Sequence, residues 1–133
     1  MIIESAHLFS ENQAISAAST QSAIVDLMGT NKTSYVMTWI FVNLTKGFSA
    51  GKIDSVKFQT GDSETLSDAF DLQTIGIPTN VDQKSPNVLL QFRIPQGTKR
   101  YARLVYAASG SPAGGTVTAS TSAGVAINGG VSM

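Results

Sequence analysis

The sequence contains no cysteine, so neither a disulfide framework nor a thiolate zinc site is available to it. It has one histidine, His7, which cannot by itself build a histidine-rich metal site or complete a nucleophilic triad whose histidine follows the nucleophile. Charge is scarce. Nine basic and nine acidic residues leave a net charge of zero, and no basic excess draws the chain to nucleic acid. No long apolar run is present. The longest, around Tyr35 to Val42, is far shorter than the roughly 20 residues a helix needs to cross a bilayer, so no membrane association is expected. The opening Met1-Ile2-Ile3-Glu4-Ser5 has no basic segment and no apolar stretch, so it does not read as a secretory signal, and synthesis in a cytoplasm is expected.

What is present is apolar bulk: 42% of 133 residues against only 14% charged, where about a quarter is usual. A chain this long buries roughly two-thirds of its unfolded surface, enough for one domain around one core. Its surface must then be dressed in Ser, Thr, Asn and Gln, or partly covered by a partner.

Short β-like runs separated by Gly, Pro, Asn, Asp and Ser predict an all-β domain. In Asn87 to Ile94, Val88, Leu90, Phe92 and Ile94 are expected on one face. Pro95-Gln96-Gly97 breaks that run, and Arg100 to Ala108 follows with Ala102, Leu104 and Tyr106 on one face. The two read as a hairpin. Tyr35 to Thr45 is apolar on both faces, Tyr35, Met37, Trp39 and Phe41 on one and Val36, Ile40, Val42 and Leu44 on the other. A two-layer domain covers one face only, so Trp39 and Phe41 are candidate anchors in a self-association or partner interface. Further strands are expected at Ala23 to Met28, Lys52 to Thr60, Ala69 to Thr74 and Thr116 to Thr121, with a weak helical turn over Thr65 to Phe70. Ser109 to Gly115 reads as a flexible turn. The termini, about 1–14 and 124–133, are expected to be flexible or to add strands to an edge.

The charges are segregated. Asp62, Glu64, Asp68, Asp71 and Asp82 lie together, and after Asp82 every charged residue (Lys84, Arg93, Lys99, Arg100, Arg103) is basic. Either the two stretches neutralise each other or Lys99, Arg100 and Arg103 form a docking patch for an acidic partner. Reactive constellations are thin. Gly47-Phe48-Ser49-Ala50-Gly51 has the spacing of a nucleophile elbow but precedes a strand rather than a helix, and reads better as a hairpin loop. Asp62 and Glu64 lack the spacing of a calcium loop. Asn31-Lys32-Thr33 and Asn43-Leu44-Thr45 match the glycosylation sequon without a signal to expose them to it. Neither a phosphate-binding loop nor a run of basic and aromatic residues suited to single-stranded nucleic acid is present. No catalytic residue, cofactor or metal is expected.

Two stretches carry a family resemblance. One is Leu8-Phe9-Ser10, Gln13-Ala14 and Ile24-Val25-Asp26-Leu27 with Gly29. The other is Pro95, then Lys99-Arg100-Tyr101-Ala102-Arg103-Leu104-Val105-Tyr106, a glycine-rich turn, and Gly115-Thr116-Val117-Thr118-Ala119. In order and spacing they resemble the capsid cement (decoration) proteins of tailed bacteriophages, in the group similar to the cement protein of a Bordetella phage. No matching signature lies between Gly47 and Lys84. The resemblance implies a jelly-roll-like antiparallel β-sandwich, a homo-oligomer (dimer before trimer), made in the host bacterial cytoplasm. It would bind the major capsid protein on the outer capsid surface and bridge neighbouring copies, with no catalytic residues. A head–tail connector or tail protein, and a carbohydrate-binding β-sandwich module, are the alternatives.

Overall fold

The structure, a computed structural model, describes residues 8–27 and 39–121. Nine strands occur in them: β1 (Leu8–Ala14), β2 (Ser19–Gln21), β3 (Val25–Asp26), β4 (Trp39–Lys46), β5 (Ala50–Gly61), β6 (Phe70–Gly76), β7 (Asn87–Arg93), β8 (Tyr101–Ala113) and β9 (Thr116–Thr121). Among the described residues there is no α-helix. The strands form two antiparallel sheets in one sandwich-like domain. The first has the order β1-β9-β4-β7. The second has the order β2-β8-β5-β6, with β3 also paired to β8.

Alternation builds the core. Ile40, Val42 and Leu44 on β4 and Val117 and Ala119 on β9 face Val56 and Phe58 on β5 and Ala102, Leu104 and Tyr106 on β8. Phe58 and Phe92 meet edge to face across the two sheets, with ring centroids 6.4 Å apart. The expected face of Ala102, Leu104 and Tyr106 is the buried one.

Several expectations need correction. The runs now seen as β7 and β8 are not a hairpin. They lie in different sheets, because Pro95 to Lys99 carries the chain across the sandwich rather than back along it. The expected phase of β7 holds for Phe92 and Ile94 but not for Val88, which is 48% exposed. Val42 pairs with Leu90 and Asn43 with Val88, so Leu89 is an extra, bulged residue. One inserted residue exchanges the faces of everything before it. Leu89 is buried and Val88 points out.

Residues 109–113 belong to the long strand β8, and only Gly114 and Gly115 make the turn. The Gly47 to Gly51 link is likewise a crossing between sheets. Gly51 takes φ +72, and a Cβ on Gly47 would fall 2.2 Å from the Lys84 carbonyl oxygen. The expected strand at Ala23 to Met28 is reduced to β3, preceded by the unforeseen β2, and Met28 lies outside the described residues. Between β2 and β3 the Ser22 hydroxyl accepts the Leu104 N–H, so the edge is kept although the strand is broken. In place of the helical turn expected over Thr65 to Phe70, Ser63 to Ala69 makes two successive tight turns and Phe70 opens β6. Of the terminal stretches, 8–14 forms the edge strand β1, and 124–133 lies outside the described residues.

A hydrogen-bond relay ties one flank of the sandwich. The buried Tyr106 hydroxyl lies 2.8 Å from Ser10 Oγ, which donates onward to Gln13 Oε1, so Tyr106 is the donor. Gln13 Nε2 then donates to the Gln21 carbonyl. Burial raises the Tyr106 pKa well above the usual phenol value, against a smaller opposing effect of Ser10.

Candidate interaction surface

The two outer faces differ in kind. On the second sheet, polar side chains satisfy one another across three strands. Arg103 Nε on β8 donates to Gln59 Oε1 on β5 at 2.8 Å. Gln59 Nε2 donates to Asp71 Oδ1 on β6, also at 2.8 Å, and Lys57 Nζ lies 3.3 Å from Asp71 Oδ2. Such a ladder is cross-strand pairing turned outward. At its end Arg100 makes a two-pronged contact with Asp26, both distances 3.0 Å, and lies 5.0 Å over the Tyr101 ring.

The structure thus places the three basic candidates in different settings. Arg103 reaches the acidic stretch through Gln59. Arg100 pairs with Asp26, an acid outside that stretch that the sequence does not single out. Lys99 is exposed, with its backbone N–H on the Thr60 hydroxyl.

The outer face of the first sheet has no acidic side chain on β4, β7 or β9. Trp39 is 41% exposed and Phe41 half-buried, while the alternate residues Ile40 and Val42 are fully enclosed. The sequence expectation of two apolar faces on this strand holds for Trp39 and Phe41, and the residues from Tyr35 to Thr38 lie outside the described set. Trp39 is therefore exposed and not a core residue. Arg93, directly opposite on β7, lies 5.7 Å from its ring centroid. Gln91 and Ser120 flank Phe41, and Thr118 and Val88 flank Asn43. The result is an aromatic strip edged by hydroxyls and amides, with one cation.

The acidic loop is occupied by its own backbone. Asp68 accepts the N–H groups of Asp62 and Ser63, which lower its pKa. The Gln59 amide, then Lys57, lowers that of Asp71, and the Lys84 N–H, then the Ser85 hydroxyl, that of Asp82. A depressed folded pKa contributes stability that is present above the unfolded value of about 3.9 and lost as pH falls through the folded values. Urea midpoints should therefore hold from about pH 7 to about pH 5 and decline below about pH 4, and removing Asp68 and Asp71 together should flatten the decline. An unchanged acid limb in the double variant would refute this origin.

Among the described residues no three of His, Cys, Asp and Glu gather as a metal site. Ser49 of the elbow-like stretch donates to the Ala113 carbonyl at 3.1 Å. A shallow hollow of about 270 Å³ lies over Lys52, Ile77 and Val81, beside the buried side chain of Gln83. Nothing in the local sequence singles out Gln83, since a glutamine between Asp82 and Lys84 reads as a loop residue. Its amide grips the main chain of β5, Oε1 accepting from Ile53 N–H at 2.8 Å and Nε2 donating to the Ile53 carbonyl at 2.9 Å. Compared with known proteins, the chain matches no protein-family model and no curated protein.

Proposed function

We propose that this chain is a virion structural protein, a decoration protein that binds the outer surface of a tailed-phage capsid and bridges neighbouring capsid subunits. The observation that carries the reading is the contrast between the two faces. One, apart from Tyr101 and Val105 on β8, is polar and internally paired. The other presents Trp39, Phe41, Val88 and Arg93, residue types enriched where proteins meet, apart from the valine. The strand order supports the jelly-roll part of the reading. With β2 and β3 counted as one interrupted strand, eight strands form two four-stranded sheets, and every connection except β5–β6 crosses between them. Trp39 and Phe41 are the leading contact residues. Lys99, Arg100 and Arg103 contribute less, since exposed ion pairs are each worth only about 0–1 kcal/mol.

The test is quantitative mass spectrometry of purified particles of the phage that encodes the chain. A copy number comparable to that of the major capsid protein is expected. Absence from particles overturns the proposal, and a copy number far below that of the capsid protein moves the chain to the connector or tail.

The exposure of Trp39 beside hydroxyls and amides favours one second reading, a carbohydrate-binding module, because sugars stack on exposed rings between polar side chains. Trp39 is the sole tryptophan. Its fluorescence should be unchanged by neutral oligosaccharides if the first reading holds, and saturable quenching would favour the second.

A further inference from the structure

A sandwich has two flanks where the edges of its sheets come together, and here they are built differently. On the flank of β1, β2 and β3 the two sheets are stitched. Ala23 N–H donates to the Phe9 carbonyl, Gln13 Nε2 reaches the Gln21 carbonyl, and Tyr106 meets Ser10. The edge strands there are also blunted. β1 is interrupted by two register shifts, with Asn12 in the left-handed region at φ 48, and β2 and β3 are three and two residues long. These are standard defences against pairing with another chain.

The flank of β6 and β7 has the opposite character. The half-buried apolar side chains packed against the core are Leu72 and Ile75 on β6, Leu90 on β7 and Val81 in the link between them. Phe70 at the start of β6 and Val88 on the outer face of β7 are 43% and 48% exposed. β6 carries Asp71, a bulge at Leu72 and a terminal glycine. From Leu90 to Arg93, β7 pairs with Val42 to Trp39 in regular register and bears no charge before Arg93. It is the last strand of its sheet, and its outer side meets no further main chain among the described residues. Arg93 stacks on Trp39 and has no carboxylate in ion-pair range among the described residues.

We propose that β7 is a strand-addition edge that takes an extended arm of a neighbouring capsid subunit, apolar at alternate positions and carrying a carboxylate opposite Arg93. The proposal rests on the decoration reading for the source of the arm. An added strand would place one row of side chains over Leu72, Val81 and Leu90 and the other beside Gln91 and Arg93, on the face that carries Trp39 and Phe41, with main-chain bonds supplying affinity. A second copy of this chain fits less well. Two rigid sandwiches would have to match the bulged edges β6 and β7 together, whereas a flexible arm follows the short regular run of one.

The edge is tested with a short capped synthetic peptide alternating valine and threonine with one aspartate, titrated to millimolar concentration. Trp39 emission and backbone amide resonances are followed. Saturable shifts confined to residues 88–93 and their β4 and β6 neighbours are expected. Leu90→Lys, which puts a charge among the half-buried apolar side chains, should weaken binding at least roughly tenfold. Arg93→Glu, on the exposed face, should do the same without disturbing the fold, and a peptide with lysine in place of aspartate should restore it. Absence of shifts, or shifts centred on β1, overturns the edge. A dimer that Leu90→Lys dissociates makes the occupant a second copy and overturns the arm. Uptake of Leu90→Lys by bare capsids as strongly as the parent also overturns the arm while leaving the decoration reading intact. Peptide binding at β7 by a chain that capsids do not take up overturns that reading and, with it, the arm's capsid source.

Discussion

Phe58→Ala is expected to lower stability by about 3–5 kcal/mol, the range for truncating a fully enclosed phenylalanine. Phe58 sits in the middle of β5, a central strand, with no exposed surface, and its ring is the partner of Phe92 from the other sheet. Truncation removes contact area from both layers at once, and β-sheets joined by main-chain bonds cannot close the space. Small domains are stable by only about 5–15 kcal/mol, so the variant should lose about a fifth or more of the total. Phe92→Ala should cost somewhat less, because Phe92 is 8% exposed near the sheet edge. Urea unfolding with an unchanged m-value measures both. A loss below about 1 kcal/mol for Phe58 would mean that its ring does not bridge the sheets.

Gln83→Leu is the second large effect, about 2–5 kcal/mol. It preserves bulk but strips the Ile53 N–H and carbonyl of their partners in a buried setting, where each orphaned group costs about 1–3 kcal/mol. The side-chain amide here replaces a strand that the sheet lacks at this point. β5 shifts register between Ile53 and Ser55 against β8, and Gln83 supplies the pairing on its other side. It also anchors the return from β6, since its own carbonyl accepts the Phe48 N–H. Gln83→Glu should be as harmful, because it loses the donor and buries a charge. Hydrogen exchange at the Ile53 amide is the direct readout. Unaltered protection in Gln83→Leu would show that the clamp is not what shields it.

The same distinction between local pattern and distant partner explains the surface. Arg100 and Arg103 lie three positions apart in the sequence and are remote from their partners. The pairing of Arg100 with Asp26 spans 74 positions, and that of Arg103 with Gln59 spans 44. Charge segregation along the chain announced that neutralisation was available. Which acid met which base depended on strands brought together from different parts of the chain. Trp39 shows the limit from the other side. An apolar strand signals burial, and period two correctly separates Trp39 and Phe41 from Ile40 and Val42, but it does not say that the first pair faces out.

Composition, period-two alternation and turn residues by themselves determined that this chain is all-β. They also determined that Ala102, Leu104 and Tyr106 share an inner face, since a strand's side chains alternate whatever it pairs with. The tertiary structure alone decided which strands are neighbours. A five-residue link such as Pro95 to Lys99 serves a hairpin and a crossing equally well, and only packing of the two apolar faces selects the crossing. It alone decided the bulge at Leu89, because an inserted residue is visible only against the partner strand. It also decided the burial of Gln83, whose hydrogen-bonding partner lies 30 residues away on a strand the local sequence does not name.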